Sequence, residues 1–451
     1  MIKIKKGLDI PIKGEPEQDI DGYLSSKYFG YLGTEFIGIK PVLKVKVGDK
    51  VNQGDILFID KKIPELKFIS PFSGTVDSIN RGYQRSLESV VVKKDDSQNS
   101  IVQIPNHSIT SIHKYEKSEL IKILLDTSLW LGLRTRPFSR VTNPNDTIDI
   151  IFVNAIDTNP LSPKPSIIIN KYEKEFLIGL EVVSQICSEK IFLCKDTDII
   201  PCPKNEKIKE EIFDGPHPAG LVGTHIHFLY GADLNHPVSH INYQDVISIG
   251  YLFLHGHLLT KKIISIAGPT VIKPALYEVD IGSGLDILDQ VQNNIYKNPK
   301  LRIISGSILN GIKMESIKSN LGKYHLQLSI LEEGNQKEFL GWIKPGKNKF
   351  SVTKAFTSQF FKNKRFNINT SMNGSKRSMV PIGNYEKIMP LDIEPTLFLR
   401  YLHAEDIDNL LKIGILELDE EDLGLCNFVC PGKANFNKKL RHCLDIIYKE
   451  V

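Results

Sequence analysis

Long apolar runs are missing from this 451-residue sequence. Crossing a hydrocarbon core takes about 18 or more consecutive apolar residues in a helix, and the nearest stretches, IISIAG and YLFLHGHLL, are short and interrupted. A bilayer-spanning chain is therefore excluded. The opening MIKIKKGLDIPIKGEP has lysines but no apolar core behind them, so it is not expected to act as a secretory signal. Cysteine is scarce, with six in the whole sequence, which points to reduced cytosolic thiols rather than a disulfide scaffold. Cys187, Cys194 and Cys202 are spaced by seven and eight positions, and Cys426 and Cys430 have no second close pair nearby. Buried thiols are expected, not an iron–sulfur or zinc site. Net charge of one sign is also lacking: +4 over this length is too weak to imply a nucleic-acid partner, and no RNA-binding, zinc-finger or basic-zipper pattern adds to it. GxGxxG, GxSxG and the Walker pattern GxxxxGK followed by Ser or Thr are all absent, which weakens dinucleotide, nucleotide-hydrolase and esterase readings.

What is present is ordinary globular composition, 24% charged and 41% apolar, in a length that suits roughly three domains. Residues 37–104 read as short strands joined by tight turns. VLKVKVGDKVNQGDILF repeats its turn signal at Gly48-Asp49 and Gly54-Asp55, and Pro71, Gly74 and Gly82 bracket further strands. This pattern resembles the lipoyl/biotinyl-type barrel-sandwich. Phe72-Ser73 stands where that family carries its modified lysine, so covalent carriage of a prosthetic group is not expected.

From Glu119 onward the pattern changes. SELIKILLDTSLWLGL is helix-like through Leu120, Ile123 and Leu124, and TIDIIFVNAIDTNP reads as a buried strand. A helix near Glu173 to Cys187 then leads to the strand KIFLCKD. Strand, helix and strand at this spacing predict an open, mostly parallel α/β domain. Ligands on such sheets lie beyond the C-terminal strand ends, which makes Asn154, Asp157 and Lys195 candidate rim residues.

The segment WLGLRTRPFSR, Trp130 to Arg140, packs three arginines and one glycine into a turn. Pro137 keeps the residue before it out of the helical region, and a guanidinium fork suits phosphate or carboxylate. Two readings stand: an anion-holding turn, or solvated arginines flanking a helix end. Histidines concentrate in HPAGLVGTHIHFLYGADLNHPVSHINYQDV. Read as a strand, THIHF places His225 and His227 on one face, with His217, His236 and His240 reaching in from loops. A metal centre, a structural or interface cluster, and a ligand-facing role all fit that composition.

Further on, IISIAGPTVIKPALYEVDIGSGLDILDQVQNN reads as strand, turn at Gly268-Pro269, strand and helix. Ser283 is the expected helix cap, ahead of an apolar side through Leu285, Leu288 and Val291. The run from Trp342 to Phe366 interleaves lysines with aromatics. Single-stranded nucleic acid, a membrane-proximal protein interface, and a solvated basic face over core aromatics each suit it. AEDIDNLLKIGILELDEEDL reads as a final acidic helix.

Nearly the whole chain resembles the A-subunit family of the bacterial sodium-translocating NADH–quinone reductases. The resemblance rests on residues 4–16 (IKKGLDIPIKGEP), 68–76 (FISPFSGTV), 223–229 (GTHIHFL), 240–250 (HINYQDVISIG), 379–393 (MVPIGNYEKIMPLDI) and 426–433 (CNFVCPGK). It implies a peripheral protein on the cytoplasmic face of the bacterial inner membrane, part of a six-subunit complex (A to F) and docked on the membrane-embedded B subunit. In such a complex electrons pass from NADH to ubiquinone with outward sodium pumping. The NADH site, flavins and iron–sulfur centres belong to sister subunits, so this chain is expected to hold no redox cofactor, to bind no nucleic acid and to be inactive alone.

The chain is also similar to the flavin-binding subunit of respiratory complex I, whose GLRGRGGxGF loop holds the flavin phosphate. Gly132, Leu133, Arg134 and Arg136 match that loop, whereas Thr135, Pro137 and Phe138 bring bulk in place of glycine. The fold implied is α+β and multidomain: a barrel-sandwich within 1–115, a Rossmann-like α/β domain at 116–257, a β-grasp domain of the soluble ligand-binding type at 258–310, and a mainly helical region at 311–451. Arg134, Arg136, His225 and His227 are the candidate anion- or quinone-contact residues, with no catalytic or metal-binding residue expected. The alternative function is a stand-alone flavin- or NAD-dependent oxidoreductase.

Overall fold

The apolar run Ile150–Ala155 forms a strand with Ile151, Phe152 and Val153 fully buried, as expected where helices cover both faces of a parallel sheet. In the computed structural model, which describes all residues except 96–111, 198, 297–299, 317–318, 335–343 and 362, this strand is the middle of a seven-stranded sheet. The order is Ile2–Lys3, Ile208–Asp214, Lys190–Lys195, Ile150–Ala155, Val238–Asn242, Arg134–Arg136 and Arg140–Val141. The first five strands run parallel, and Arg134–Arg136 is antiparallel to both of its neighbours, Val238–Asn242 and Arg140–Val141.

Helices Glu173–Ile186 and Tyr243–His255 cover the face of Ile151, Val153, Ile191 and Leu193. They pass close enough that a Cβ on Gly250 would collide with the Glu175 carbonyl, and one on Gly179 with the Val246 carbonyl. Helix Val222–Leu229 covers the other face, with Val222 and Ile226 against Ile150, Phe152 and Phe192. THIHF is thus helical, not a strand. Eight residues with Val222 and Ile226 four apart meet the helical period, and the alternating histidines mask it.

The barrel-sandwich pairs a four-stranded sheet with a three-stranded one around Tyr31, Phe36, Phe58 and Phe68. Phe58 and Phe68 stack with centroids 4.1 Å apart. Its repeated sequence signal makes a repeated turn. The Asp49 carboxylate accepts from the Lys46 N–H at 2.7 Å, and the Asp55 carboxylate accepts from the Asn52 N–H at 2.7 Å. Gly48 (φ 92°) and Gly54 (φ 95°) take the left-handed conformation that each turn requires.

A six-stranded sheet follows, ordered Ile312–Met314, Leu301–Ser305, Gln327–Glu332, Lys261–Ala267, Ala275–Asp280 and Glu17–Leu24. Its last strand comes from the N-terminal region, parallel to Ala275–Asp280. The expected turn lies at Gly268, but Ser283 does not cap the following helix. The segment Leu285–Asn294 is a 3₁₀ helix with Gly284 at its N-cap and no side-chain cap, and the buried Ser283 hydroxyl finds no partner among the described residues.

Helices Pro395–Ala404, Gly424–Val429 and Phe436–Glu450 enclose the C-terminal core of Phe398, Leu402, Phe436 and Leu444. The acidic run is not one helix. Helix Ile407–Lys412 stops before Gly414 at φ 95°, and short 3₁₀ turns follow at Ile415–Glu417 and Glu420–Leu423. Those turns direct the carboxylates inward.

Candidate functional site

Where the barrel, the α/β domain, the β-grasp sheet and the C-terminal helices meet, they enclose a cavity of about 550 Å³. It lies beyond the C-terminal ends of strands Ile150–Ala155 and Val238–Asn242, the position that an open parallel sheet favours for ligands. Asn154 and Asp157 line it, as expected of rim residues. Asn154 donates to the Gly220 carbonyl at 3.1 Å. The Asp157 carboxylate accepts from the Asn159 backbone at 2.8 Å, and burial pushes its pKa up to about 6. Lys195 is not part of the lining: it is buried against the Ile200 carbonyl and pairs with Glu210.

Arg134 faces this cavity, its guanidinium 4.3 Å over the Tyr324 ring. Tyr324 is in turn fixed by donating to the Leu131 carbonyl at 2.8 Å. Glu35 enters from the barrel. One of its carboxylate oxygens accepts from the Lys323 N–H at 3.0 Å, and the other has no hydrogen-bond partner among the described residues and lies 3.9 Å from His325 Nδ1. Burial raises the Glu35 carboxyl above the usual range, against the opposing charges of Lys262 and Arg134. His325 hydrogen-bonds Ser305 at 2.8 Å, and burial pushes its pKa down to about 3. Gly132 presses against Asp245, where a Cβ would lie 2.9 Å from the Asp245 side chain.

Arg136 sits two residues from Arg134 but is fully buried. Its guanidinium donates to Asp422 at 2.9 Å, to Glu421 at 3.1 Å and to the Glu417 carbonyl at 2.9 Å. Asp419 lies 3.8 Å away. Arg441 closes the other side, donating to Asp419 at 2.6 Å and to Glu420 at 2.7 Å. Burial works to raise the Asp419 carboxyl, but Arg136 and Arg441 outweigh it and hold it well below the usual range. Burial, with Asp419 adjacent, pushes Glu420 up to about 7. The anion gripped by Arg136 is therefore this chain's own carboxylates.

The histidines do not converge. Two positions along a helix turn the side chain by about 200°, so His225 and His227 face apart. His225 is buried beside Phe213, its Nε2 2.8 Å from the Ala219 carbonyl, and burial pushes its pKa down to about 4. His227 reaches the C-terminal region, with Nδ1 2.5 Å from Glu417 and Nε2 accepting from the Asp392 N–H at 2.9 Å. His217 bonds Thr158 at 3.1 Å, His236 is exposed beside Asp233, and His240 lines the cavity. Among the described residues, no group of three or more His, Cys, Asp or Glu is placed to hold a metal. Cys426 and Cys430 are buried, and the Tyr385 hydroxyl donates to Cys430 at 3.1 Å. No sequence signal marked Glu35 or Tyr324, because each reaches the cavity only through packing between units.

Three family descriptions match in chain order: "NqrA N-terminal barrel-sandwich hybrid domain" at residues 2–95, "NqrA second alpha/beta domain" at 115–258, and "NQRA C-terminal domain" at 263–316. The A subunit of the Na(+)-translocating NADH-quinone reductase of Vibrio anguillarum is 48% identical over 451 residues, covering 100% of both chains. Its counterpart in Vibrio vulnificus (strain YJ016) is 47% identical, also over 100% of both. The chain belongs to this NqrA family. Among solved structures, an NAD+-reducing [NiFe]-hydrogenase in the air-oxidized state is similar at TM-score 0.35 and 13% identity, over 52% of each chain, too slight a likeness to argue from. Among the described residues, no helix is long and apolar enough to cross a membrane.

Proposed function

We infer that this chain is a peripheral component, on the cytoplasmic face of the membrane, of a complex that passes electrons from NADH to ubiquinone and exports sodium. The full-length identity to the A subunit of the Na(+)-translocating NADH-quinone reductase carries this reading. In it, the chain docks on the membrane-embedded B subunit, shapes the quinone site and leaves the redox cofactors to its sister subunits.

The geometry supports a role without a resident flavin. Flavin phosphate needs unspent cations and close backbone N–H groups. At the matching loop, Arg136 is consumed by Asp419, Glu421 and Asp422. Arg134 makes no ion pair within 4.0 Å among the described residues and faces the cavity. It is the residue of this chain best placed to donate to a quinone carbonyl oxygen, whereas Arg136 and His227 join the α/β domain to the C-terminal region and His225 is buried within the α/β domain.

The visible absorption spectrum of the purified chain tests this reading. No stoichiometric flavin or iron–sulfur bands are expected. Their presence, with NADH oxidation by the chain alone, would establish the stand-alone oxidoreductase instead.

A further inference from the structure

The described residues of the basic aromatic run do not line the cavity, and the run is unusual in charge. Residues 344–385 contain seven lysines, two arginines and no aspartate or glutamate. The formal charge of the whole chain is +4, so the rest of the sequence carries a net −5. The positive charge is gathered into one segment.

That segment divides its aromatic residues. Phe350 and Phe366 lie 5.8 Å apart by centroids, Phe350 also stacks against Phe428, and the Phe366 N–H donates to the Pro11 carbonyl at 2.8 Å. They fasten the segment to the body. Phe360 and Phe361 turn the other way, 77% and 49% exposed, at the end of the 3₁₀ turn Thr357–Phe360. The ammonium groups of Lys347 and Lys364 each sit 5.6 Å from the Phe361 ring centre. Lys364 is held there by donating to the Lys347 carbonyl at 2.7 Å and to Asn348 at 2.6 Å.

Two adjacent rings pointing to solvent, one bracketed by ammonium groups on a braced loop, match the interface of an anionic bilayer. There the rings enter the headgroup–acyl boundary while the ammonium groups meet lipid phosphates. Single-stranded nucleic acid asks instead for a groove that tracks a backbone beside successive stacking rings, whereas here two adjacent exposed rings stand beside ammonium groups. We propose that Phe360 and Phe361, with Lys347, Lys364 and the exposed Lys354 of the same segment, form a contact with anionic phospholipid that orients this chain on the membrane independently of its protein partners. This goes beyond the quinone reading and does not rest on it.

The test is sedimentation of the full-length chain with vesicles of phosphatidylcholine alone and of phosphatidylcholine mixed with phosphatidylglycerol. Binding is expected only to the mixed vesicles, weakening as salt is added. Both aromatics are exposed, so Phe360→Ser with Phe361→Ser leaves the circular dichroism spectrum unchanged and lowers partitioning by about 10-fold or more. Lys347→Gln with Lys354→Gln lowers it by about 10- to 30-fold. Absence of binding to the mixed vesicles at low ionic strength overturns the proposal, as does binding that neither pair of substitutions alters. Tighter retention of a single-stranded oligonucleotide than of vesicles also overturns it. A chain that ignores vesicles but joins the other subunits of the complex loses this contact and keeps the function proposed above.

Discussion

Arg136 and Asp422 are 286 positions apart in sequence and 2.9 Å apart in space, Nη1 to Oδ2, with both side chains buried. This bond fastens the edge of the α/β sheet to the turns that precede the last helices. The arginine of a phosphate-loop-like sequence is thereby turned into an internal clamp. Removing it leaves Asp419 and Asp422 buried without their main counter-charge. Arg136→Ala is expected to destabilise the chain by about 3–5 kcal/mol, read by urea denaturation. Arg136→Lys recovers only part, because one ammonium cannot reproduce the fork.

The buried histidines predict a pH dependence. His217 and His225 are pushed down to about 4 by burial, and His325 to about 3. A group whose pKa in the fold lies below its unfolded value, about 6.5 for histidine, binds more protons when unfolded. Its stabilising effect is complete above pH of about 6.5 and is lost as pH falls toward the folded value. Glu420 and Glu421, raised to about 7, act in the opposite sense between about 4.5 and 7. Comparing variants isolates one contribution. His225→Gln, which keeps a donor for the Ala219 carbonyl, reduces the fall in unfolding free energy below pH 6.5 by about 1.4 kcal/mol per pH unit. Denaturation curves measured at several pH values check this.

The close crossing of helices Glu173–Ile186 and Tyr243–His255 predicts a strong size limit. A methyl group on Gly250 meets the Glu175 carbonyl, so Gly250→Ala forces the two helices apart. The helical preference of alanine over glycine, about 1 kcal/mol, works the other way. A net loss of about 1–3 kcal/mol is expected, and the melting temperature of the purified variant decides the sign.

Arg134 faces the cavity and Arg136 does not, so their substitutions separate. In the assembled complex, Arg134→Ala is expected to raise the KM for quinone with NADH oxidation by an artificial acceptor unchanged. Arg136→Ala instead lowers the amount of complex recovered. Steady-state kinetics on each purified complex distinguishes the two.

The sequence made the α/β domain readable because buried parallel strands are continuous apolar runs. Ile150–Ala155 and Lys190–Lys195 stand out, and the longer of the two helices between them, Glu173–Ile186, has a clear period. The barrel was readable from the repeated Gly-Asp turns. The helix around His225 was not, because its histidines two apart imitate strand alternation. Nor was the inward acidic cluster, since a run such as LDEEDL looks solvated until Arg136 and Arg441 arrive from elsewhere in the chain. Among the cavity residues, Asn154 and Asp157 followed from the strand end, whereas Glu35 and Tyr324 depend on contacts between units that no local pattern encodes. Trp342, at the head of the basic aromatic run, lies outside the described residues, as does the end of the 37–104 stretch.

The most direct measurement is reconstitution of a complex purified without this chain. Such a complex is predicted to pass electrons from NADH to ferricyanide but not to ubiquinone, and adding the purified chain should restore the quinone reaction alone. Unimpaired ubiquinone reduction in its absence, or NADH oxidation that appears only when it is added, would contradict the account.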